Sequence, residues 1–427
     1  MTKPISHIIG ITFIIQLLVF LLGITNNIIL SRWMGPELLG MLATAIVMVE
    51  IVSKVVNPGF DTSAIYFISN NRYHVKKFLG NYFLNSIAVF FAGAVLLFVL
   101  LQMNVVELLT NGINSKVFSS GLLALIFYYF AFLIYEFGIK IPLGLQEFKK
   151  FNQYQVIKPV LLFISLLILS NLIEVQFNLV LYIIGLSWII PAFIIWSDNL
   201  PFRVKFDKEI TASSLRYGLK VMLGNLLQFL VYRADIILIG FFISQTAVGW
   251  YYISVIIAEK LLYLTQATST ILLPAASKSD EQYKKTPVFS RVNLFVVILA
   301  ATIIAILSPW FIPLLFTQEY VSSVLPLIFL LPGIASLSVS KILSADFGAR
   351  GKPQYSMYVS MINFCLNIIL NIILIPKIGI VGAAISSSIS YTAAAGVQCY
   401  IYSRITGIPV SKLIFINSTD FKSVLKM

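Results

Sequence analysis

Long runs of apolar residues, separated by short polar segments, fill this chain from one end to the other. A helix that crosses a bilayer takes about 20 such residues. The runs predict twelve crossings, at residues 7–30, 38–58, 79–101, 117–141, 154–172, 178–197, 215–242, 248–273, 292–316, 323–345, 355–375 and 380–403. Strands of a membrane barrel would alternate polarity over about ten residues, and these runs do not. The expected fold class is therefore an all-α polytopic membrane protein with little outside the bilayer.

Composition sharpens that reading. The 427 residues are 59% hydrophobic and 11% charged, against about 25% charged in soluble domains. The net charge of +13 could suggest a nucleic-acid partner. Its distribution excludes one, because the basic residues sit in short clusters between apolar runs and form no continuous basic face. Arg72/Lys76/Lys77, Lys149/Lys150, Arg203/Lys205/Lys208 and Lys278/Lys284/Lys285 are such clusters. With the first residues placed inside, 24 of the 30 basic residues fall on the cytoplasmic side. Only Arg32, Lys116 and Lys377 fall outside, and Lys54, Arg233 and Lys260 lie within spans. Positive charge retained inside sets topology, so both termini are expected in the cytoplasm. Cys365 and Cys399 lie in apolar runs without metal-ligand spacing. The first apolar run is too long for the core of a signal peptide and reads as an uncleaved helix.

An internal repeat divides the chain. Asn27–Leu30 matches Asp235–Leu238 at an offset of 208, and Lys76-Lys77 matches Lys284-Lys285 at the same offset. Gly40 with Gly249, and Glu50 with Glu259, match at 209. Six spans per repeat is an even number, so the two lobes have the same topology and are related by a pseudo-two-fold axis along the membrane normal, with a substrate site expected between them. The expected organisation is a six-helix lobe at 1–200, a cytoplasmic linker at 201–214, a second six-helix lobe at 215–403 and a cytoplasmic tail at 404–427.

Charges inside a bilayer are expensive and mark functional sites. Glu50 and Lys54 lie four apart on the second span, the spacing of a helix pair, and read either as functional groups or as a neutralised pair that joins helices. Glu259-Lys260 falls near the middle of the eighth. Arg233 and Asp235, two apart on the seventh, point away from each other, so each needs a partner elsewhere. Asn225, Gln228, Tyr232 and Asp235 form one stripe, and Gln16, Asn26 and Asn27 add polarity to the first span. The first, second, seventh and eighth spans are expected to line one polar cavity. Glu136, Lys140 and Lys341 lie near span ends and read as interfacial groups.

Three stretches carry a family resemblance: Leu30–Gly40 with Asn57–Asp61; Tyr232–Gly240 leading to Val248–Tyr251; and Asn367–Asn371 with Ile375–Ala384. They resemble the polysaccharide-biosynthesis, O-antigen (Wzx-type) flippases of the multidrug/oligosaccharidyl-lipid/polysaccharide exporter superfamily. The resemblance implies a V-shaped twelve-helix flippase of a bacterial inner membrane, alternating between inward- and outward-open states. Its implied cargo is an undecaprenyl-pyrophosphate-linked glycan unit for O-antigen, capsule or exopolysaccharide, and its implied neighbours are glycosyltransferases and a polymerase. Murein-precursor flippases usually have about fourteen helices, so twelve favours the glycan-unit branch. Gly35-Pro36, Pro58-Gly59 and Gly379 read as turn residues, and Asp61 as either a helix cap or a gate.

Under that implication Arg233, Lys54 and Lys260, with Asn225 and Gln228, are the substrate contacts, since a dianionic headgroup crossing hydrocarbon needs compensation. Glu50, Asp235 and Glu259 are candidates for coupling to a proton or sodium gradient. A cation-coupled drug or metabolite exporter of the same fold is the alternative. An integral-membrane glycan polymerase or ligase is disfavoured, because the longest outer loop carries only Glu107 and Lys116 as charged groups. No cofactor, metal site or catalytic residue is expected.

Overall fold

The computed structural model describes residues 5–70, 72–103, 121–201, 204–266, 286–350, 352 and 354–417. Lys284-Lys285 of the repeat, the loop around Glu107 and Lys116, the end of the eighth predicted span and the last ten residues lie outside them. Among the described residues all regular structure is helical, and ten helices are long and apolar enough to cross a membrane. Two of these, Ile15–Val56 and Gln354–Thr406, hold 42 and 53 residues and each contains an internal break. Counting both halves of each gives the twelve expected crossings. The chain forms two compact units, Met1–Leu226 and Leu227–Met427.

In the first unit, α1 (Ile5–Val56) breaks at Gly35, with φ 68° and ψ 173°. Glycine reaches that backbone region without a Cβ penalty. Pro36 then begins the second half, where its missing N–H costs nothing. α1 ends at Asn57-Pro58-Gly59, and α2 (Phe60–Ser69) follows at once. Asn57 makes the junction: its Oδ1 accepts from the Gly59 and Phe60 amides at 3.1 and 3.0 Å. Its Nδ2 donates to Asp61 Oδ1 at 3.0 Å. Asp61 thus sits in the first turn of α2, near the positive end of the helix dipole, while Asn57 does the capping.

Gly59, at φ 82°, lies against Gly218 on α7 (Lys208–Phe242). A Cβ on Gly59 would come within 2.5 Å of the Gly218 carbonyl oxygen. The segment leading into α7 is fastened to α3 (Val75–Gln102) as well. Lys77 pairs with Asp207 at 2.6 Å, Asn81 donates to Thr211 Oγ1 at 2.9 Å, and the Asp207 amide donates to Asn81 Oδ1 at 2.7 Å. Residues 208–214 are already helical, and the division at Leu226/Leu227 falls inside α7.

α4 (Leu122–Gly144), α5 (Phe148–Leu172) and α6 (Phe177–Asn199) complete the unit. Tyr82 packs on Phe137 and Trp196, and its hydroxyl donates to the Phe137 carbonyl at 3.0 Å. Asn26, expected at a polar cavity, is buried in a helix contact and donates to the Pro159 carbonyl on α5 at 3.0 Å. Phe91 and Val95 of α3 are each 62% exposed. Large apolar side chains facing outward along whole helices are what a lipid solvent requires, and the chain is a multi-pass membrane protein.

The second unit begins within α7 and continues through α8 (Gln245–Lys260), α9 (Thr286–Phe316), a 3-10 turn at Gln318–Ser323, α10 (Val324–Ala349) and α11 (Gln354–Thr406). α11 breaks at Ile378-Gly379, where Gly379 has φ 66°. A Cβ on Gly382 would collide with the Leu374 carbonyl. Eight residues along a straight helix span about 12 Å, so the chain reverses sharply between them. At the other end, Asp346 accepts from Thr286 Oγ1 at 3.1 Å and from Arg350 Nε at 2.5 Å. Arg350 also donates to the Tyr402 hydroxyl at 3.1 Å, tying α9, α10 and α11 together. A short α12 (Ser411–Ile414) buries Leu413 on the unit, so the start of the tail is packed.

Candidate functional site

Two of the charged residues that sequence singled out, Arg233 on α7 and Glu259 on α8, meet in the second unit. Arg233 donates to both carboxylate oxygens of Glu259, at 2.8 and 3.2 Å, and both side chains are 26% exposed. A forked guanidinium–carboxylate contact fixes orientation as well as charge. Glu259 and Lys260 lie inside the apolar segment Gln245–Gln266, where α8 ends at Lys260, a turn follows at Leu261, and helical residues resume at 262–266. The Lys260 ammonium lies 5.1 Å from the centre of the Tyr263 ring.

Asp235 takes a different environment. It is 2% exposed, and its Oδ2 accepts from the Tyr251 hydroxyl at 2.5 Å and from Ser387 Oγ at 3.5 Å. Beyond it, the Asn367 amide donates to the hydroxyls of Ser387 and Ser390, both at 3.2 Å. The Asn371 amide donates to Asn367 Oδ1 at 2.9 Å. Asn371 Oδ1 is buried with no hydrogen-bond donor among the described residues. One carboxylate amid amide and hydroxyl oxygens can take up a proton or hold a hard cation. Among the described residues no three His, Cys, Asp or Glu side chains gather as a metal site.

A cavity of about 340 Å³ lies in the same unit. Gln228 and Tyr232 of α7 line it, facing Ser340, Lys341 and Ser344 of α10, Ser356, Ser360 and Asn363 at the start of α11, and Gln398 near its end. The predicted α7 stripe is thus divided. Gln228 and Tyr232 face the cavity, Asp235 is buried in its own network, and Asn225 is exposed at the end of the first unit. Lys341, read as interfacial, instead lines the cavity, with its ammonium 5.8 Å from the centre of the Tyr232 ring. Asn363, Asn367 and Asn371 were not expected at a site, although their spacing of four marks one helix face. Glu50 and Lys54 are partly buried on the second half of α1, in the other unit.

The model of a family described as polysaccharide biosynthesis protein matches residues 29–325. An uncharacterized membrane protein of Methanocaldococcus jannaschii is 26% identical over 283 residues, covering 62% of this chain and 55% of its own length. A probable low-salt glycan biosynthesis flippase of Haloferax volcanii is 26% identical over 180 residues, 41% of this chain and 38% of its own. The chain therefore spans about half or less of these curated relatives. Among solved structures, the lipid II flippase MurJ in an inward closed conformation aligns with a TM-score of 0.78 at 15% identity, over 97% of this chain and 95% of that one. An inward-facing MATE multidrug transporter of the MOP superfamily aligns with a TM-score of 0.66 at 15% identity, over 91% and 94%. At such identity these structures establish the fold alone.

Proposed function

Because the chain belongs to the polysaccharide biosynthesis protein family, we propose that it is a flippase carrying a polyprenyl-pyrophosphate-linked oligosaccharide from the cytoplasmic to the outer leaflet. An undecaprenyl carrier and an O-antigen, capsule or exopolysaccharide unit are the specific form of that reading. The observation that carries it is the intramembrane set of Arg233, Glu259 and Asp235, held in one unit of a multi-pass protein. Buried charge of this kind is retained where a polar cargo or ion must cross.

In the mechanism that follows, Arg233 is the contact for the pyrophosphate, and Glu259 holds its guanidinium until the headgroup replaces it. Lys260 adds positive charge in the same unit, and Lys54 is a further cationic contact on the first unit. Asp235 takes the coupling ion, a proton or sodium, since its carboxylate has no basic side chain bonded to it among the contacts described. Glu259 is less suited to that task, being engaged by Arg233. The basic-residue asymmetry supports cytoplasmic termini, and glycosyltransferases and a polymerase would supply and consume the cargo.

The test is reconstitution of the full chain in vesicles holding a fluorescent polyprenyl-pyrophosphate oligosaccharide. Wild type should move the lipid between leaflets, and Arg233→Ala should abolish movement at equal protein level. Full transport by Arg233→Ala would remove its assigned role. Transport of a multidrug-exporter dye but not of the glycolipid would replace the reading with a drug or metabolite exporter.

A further inference from the structure

Resting on the reading that the cargo bears an oligosaccharide, we propose that the cavity of the second unit is a sugar subsite, taking one or two rings of the headgroup, with Lys341 selecting a ring that bears a carboxylate. Its volume of about 340 Å³ lies at the small end of the roughly 300–1,000 Å³ of ligand pockets, too little for a whole oligosaccharide and enough for its terminal part.

The lining has the chemistry of sugar recognition. Gln228, Gln266, Asn363 and Gln398 bring amides, and Ser340, Ser344, Ser356 and Ser360 bring hydroxyls. Each such group can donate and accept, as a sugar hydroxyl does. Tyr232 offers an aromatic surface for the C–H face of a ring. Three lining residues, Ser340, Ser356 and Asn363, each carry a side-chain oxygen (Oγ, Oγ and Oδ1) that is buried and has no partner among the described residues. Buried polar atoms are rarely left so, and three on residues of one lining are groups that a side-chain rotation would offer to a polar ligand.

Charge narrows the ligand further. Among the described residues Lys341 is the only ionisable cation of the lining, and no Asp or Glu belongs to it. A single ammonium suits a monoanion such as a uronic acid and is a poor match for a dianionic pyrophosphate. Position agrees with this division. Gln228 precedes Asp235 by seven residues on α7, about 10 Å along the axis, toward the end that the basic residues assign to the cytoplasm. A sugar seated there occupies the loading side while the pyrophosphate reaches Arg233.

Saturation-transfer NMR on the purified full-length chain in detergent tests this with glucuronate, methyl glucoside and inorganic pyrophosphate as probes. Glucuronate should show the strongest transfer, methyl glucoside a weaker signal, and pyrophosphate should compete with neither. Lys341→Met should erase the preference for glucuronate while leaving the glucoside signal. Ser356→Ala and Asn363→Leu, checked as monodisperse by gel filtration, should weaken both sugars by about tenfold, the scale of one lost buried hydrogen bond. Absence of sugar transfer to wild type, unchanged binding by all three variants, or displacement by pyrophosphate would each overturn the subsite. The readout is independent of transport. Sugar binding without glycolipid movement would overturn the flippase reading alone, and glycolipid movement without sugar binding would overturn the subsite alone.

Discussion

Arg233 and Glu259, 26 residues apart on successive helices, meet through two hydrogen bonds of 2.8 and 3.2 Å. The pair holds the guanidinium in neutralised form, so a phosphate that used Arg233, as proposed, would have to displace the carboxylate. Glu259→Gln should therefore bind a pyrophosphate-bearing lipid more tightly and release it more slowly. Vesicle transport should show a lower half-saturation and a lower maximal rate. Arg233→Lys should not restore wild-type behaviour, because an ammonium lacks the fork. Both side chains are a quarter exposed, and the stability cost of either change should stay near 1 kcal/mol.

Tyr251→Phe tests the Asp235 network separately. The substitution keeps the ring and removes the hydroxyl that donates to Asp235 at 2.5 Å. Leaving a buried acceptor short of its donor costs about 1–3 kcal/mol, to be read as a lower melting temperature of the purified protein. Asp235→Asn should remove the dependence of transport on the proton or sodium gradient. Unaltered gradient dependence in that variant would sink its role.

The contact between Gly59 and Gly218 leaves no room for a methyl group on either side. Gly59→Ala carries a second penalty, because φ at 82° is a region that L side chains avoid. Each alanine variant should lower stability by about 1–3 kcal/mol, with Gly59→Ala the worse. Thermal unfolding followed by intrinsic fluorescence would rank them.

Asp207 lies in the segment before α7 and outside the spanning helices. The hydrogen bond from Lys77 holds its carboxyl below the ordinary value of 3.8. A carboxyl depressed on folding contributes stability that is present above its unfolded pKa and lost as pH falls through the folded value. Asp207→Asn keeps an oxygen for the helix amides of Glu209 and Ile210 but loses the charge. Wild type should be the more stable near neutral pH and converge on the variant below pH ~4. A gap that persists in acid would place the effect in the cap instead of the ion pair.

Spans, all-helical class and family were legible because a bilayer imposes long apolar runs on local sequence, and Gly35-Pro36 and Gly379 announced their breaks through residues that few other turns require. Pairings were not. Nothing near Arg233 in the chain names Glu259, and nothing near Gly59 names Gly218, since each contact joins separate helices. That Lys341 lines a cavity was hidden for a related reason. Distance from a span end predicts how easily a lysine reaches water, but a cavity open at that depth offers the same polar surroundings without an interface. The face of Asn363, Asn367 and Asn371 was readable from spacing, yet amides in apolar helices also serve as structural glue, and only Asn371's unpartnered oxygen and the cavity at Asn363 separate the two uses.

The reversal at Ile378-Gly379 has a consequence for biogenesis. With Leu374 and Gly382 in contact across it, the two arms of α11 share no linker that could wait in water while one arm partitions into lipid. They must leave the insertion machinery together as a helical hairpin. A charge placed in either arm should therefore strand both, and the mature protein should then lack its last two crossings rather than one.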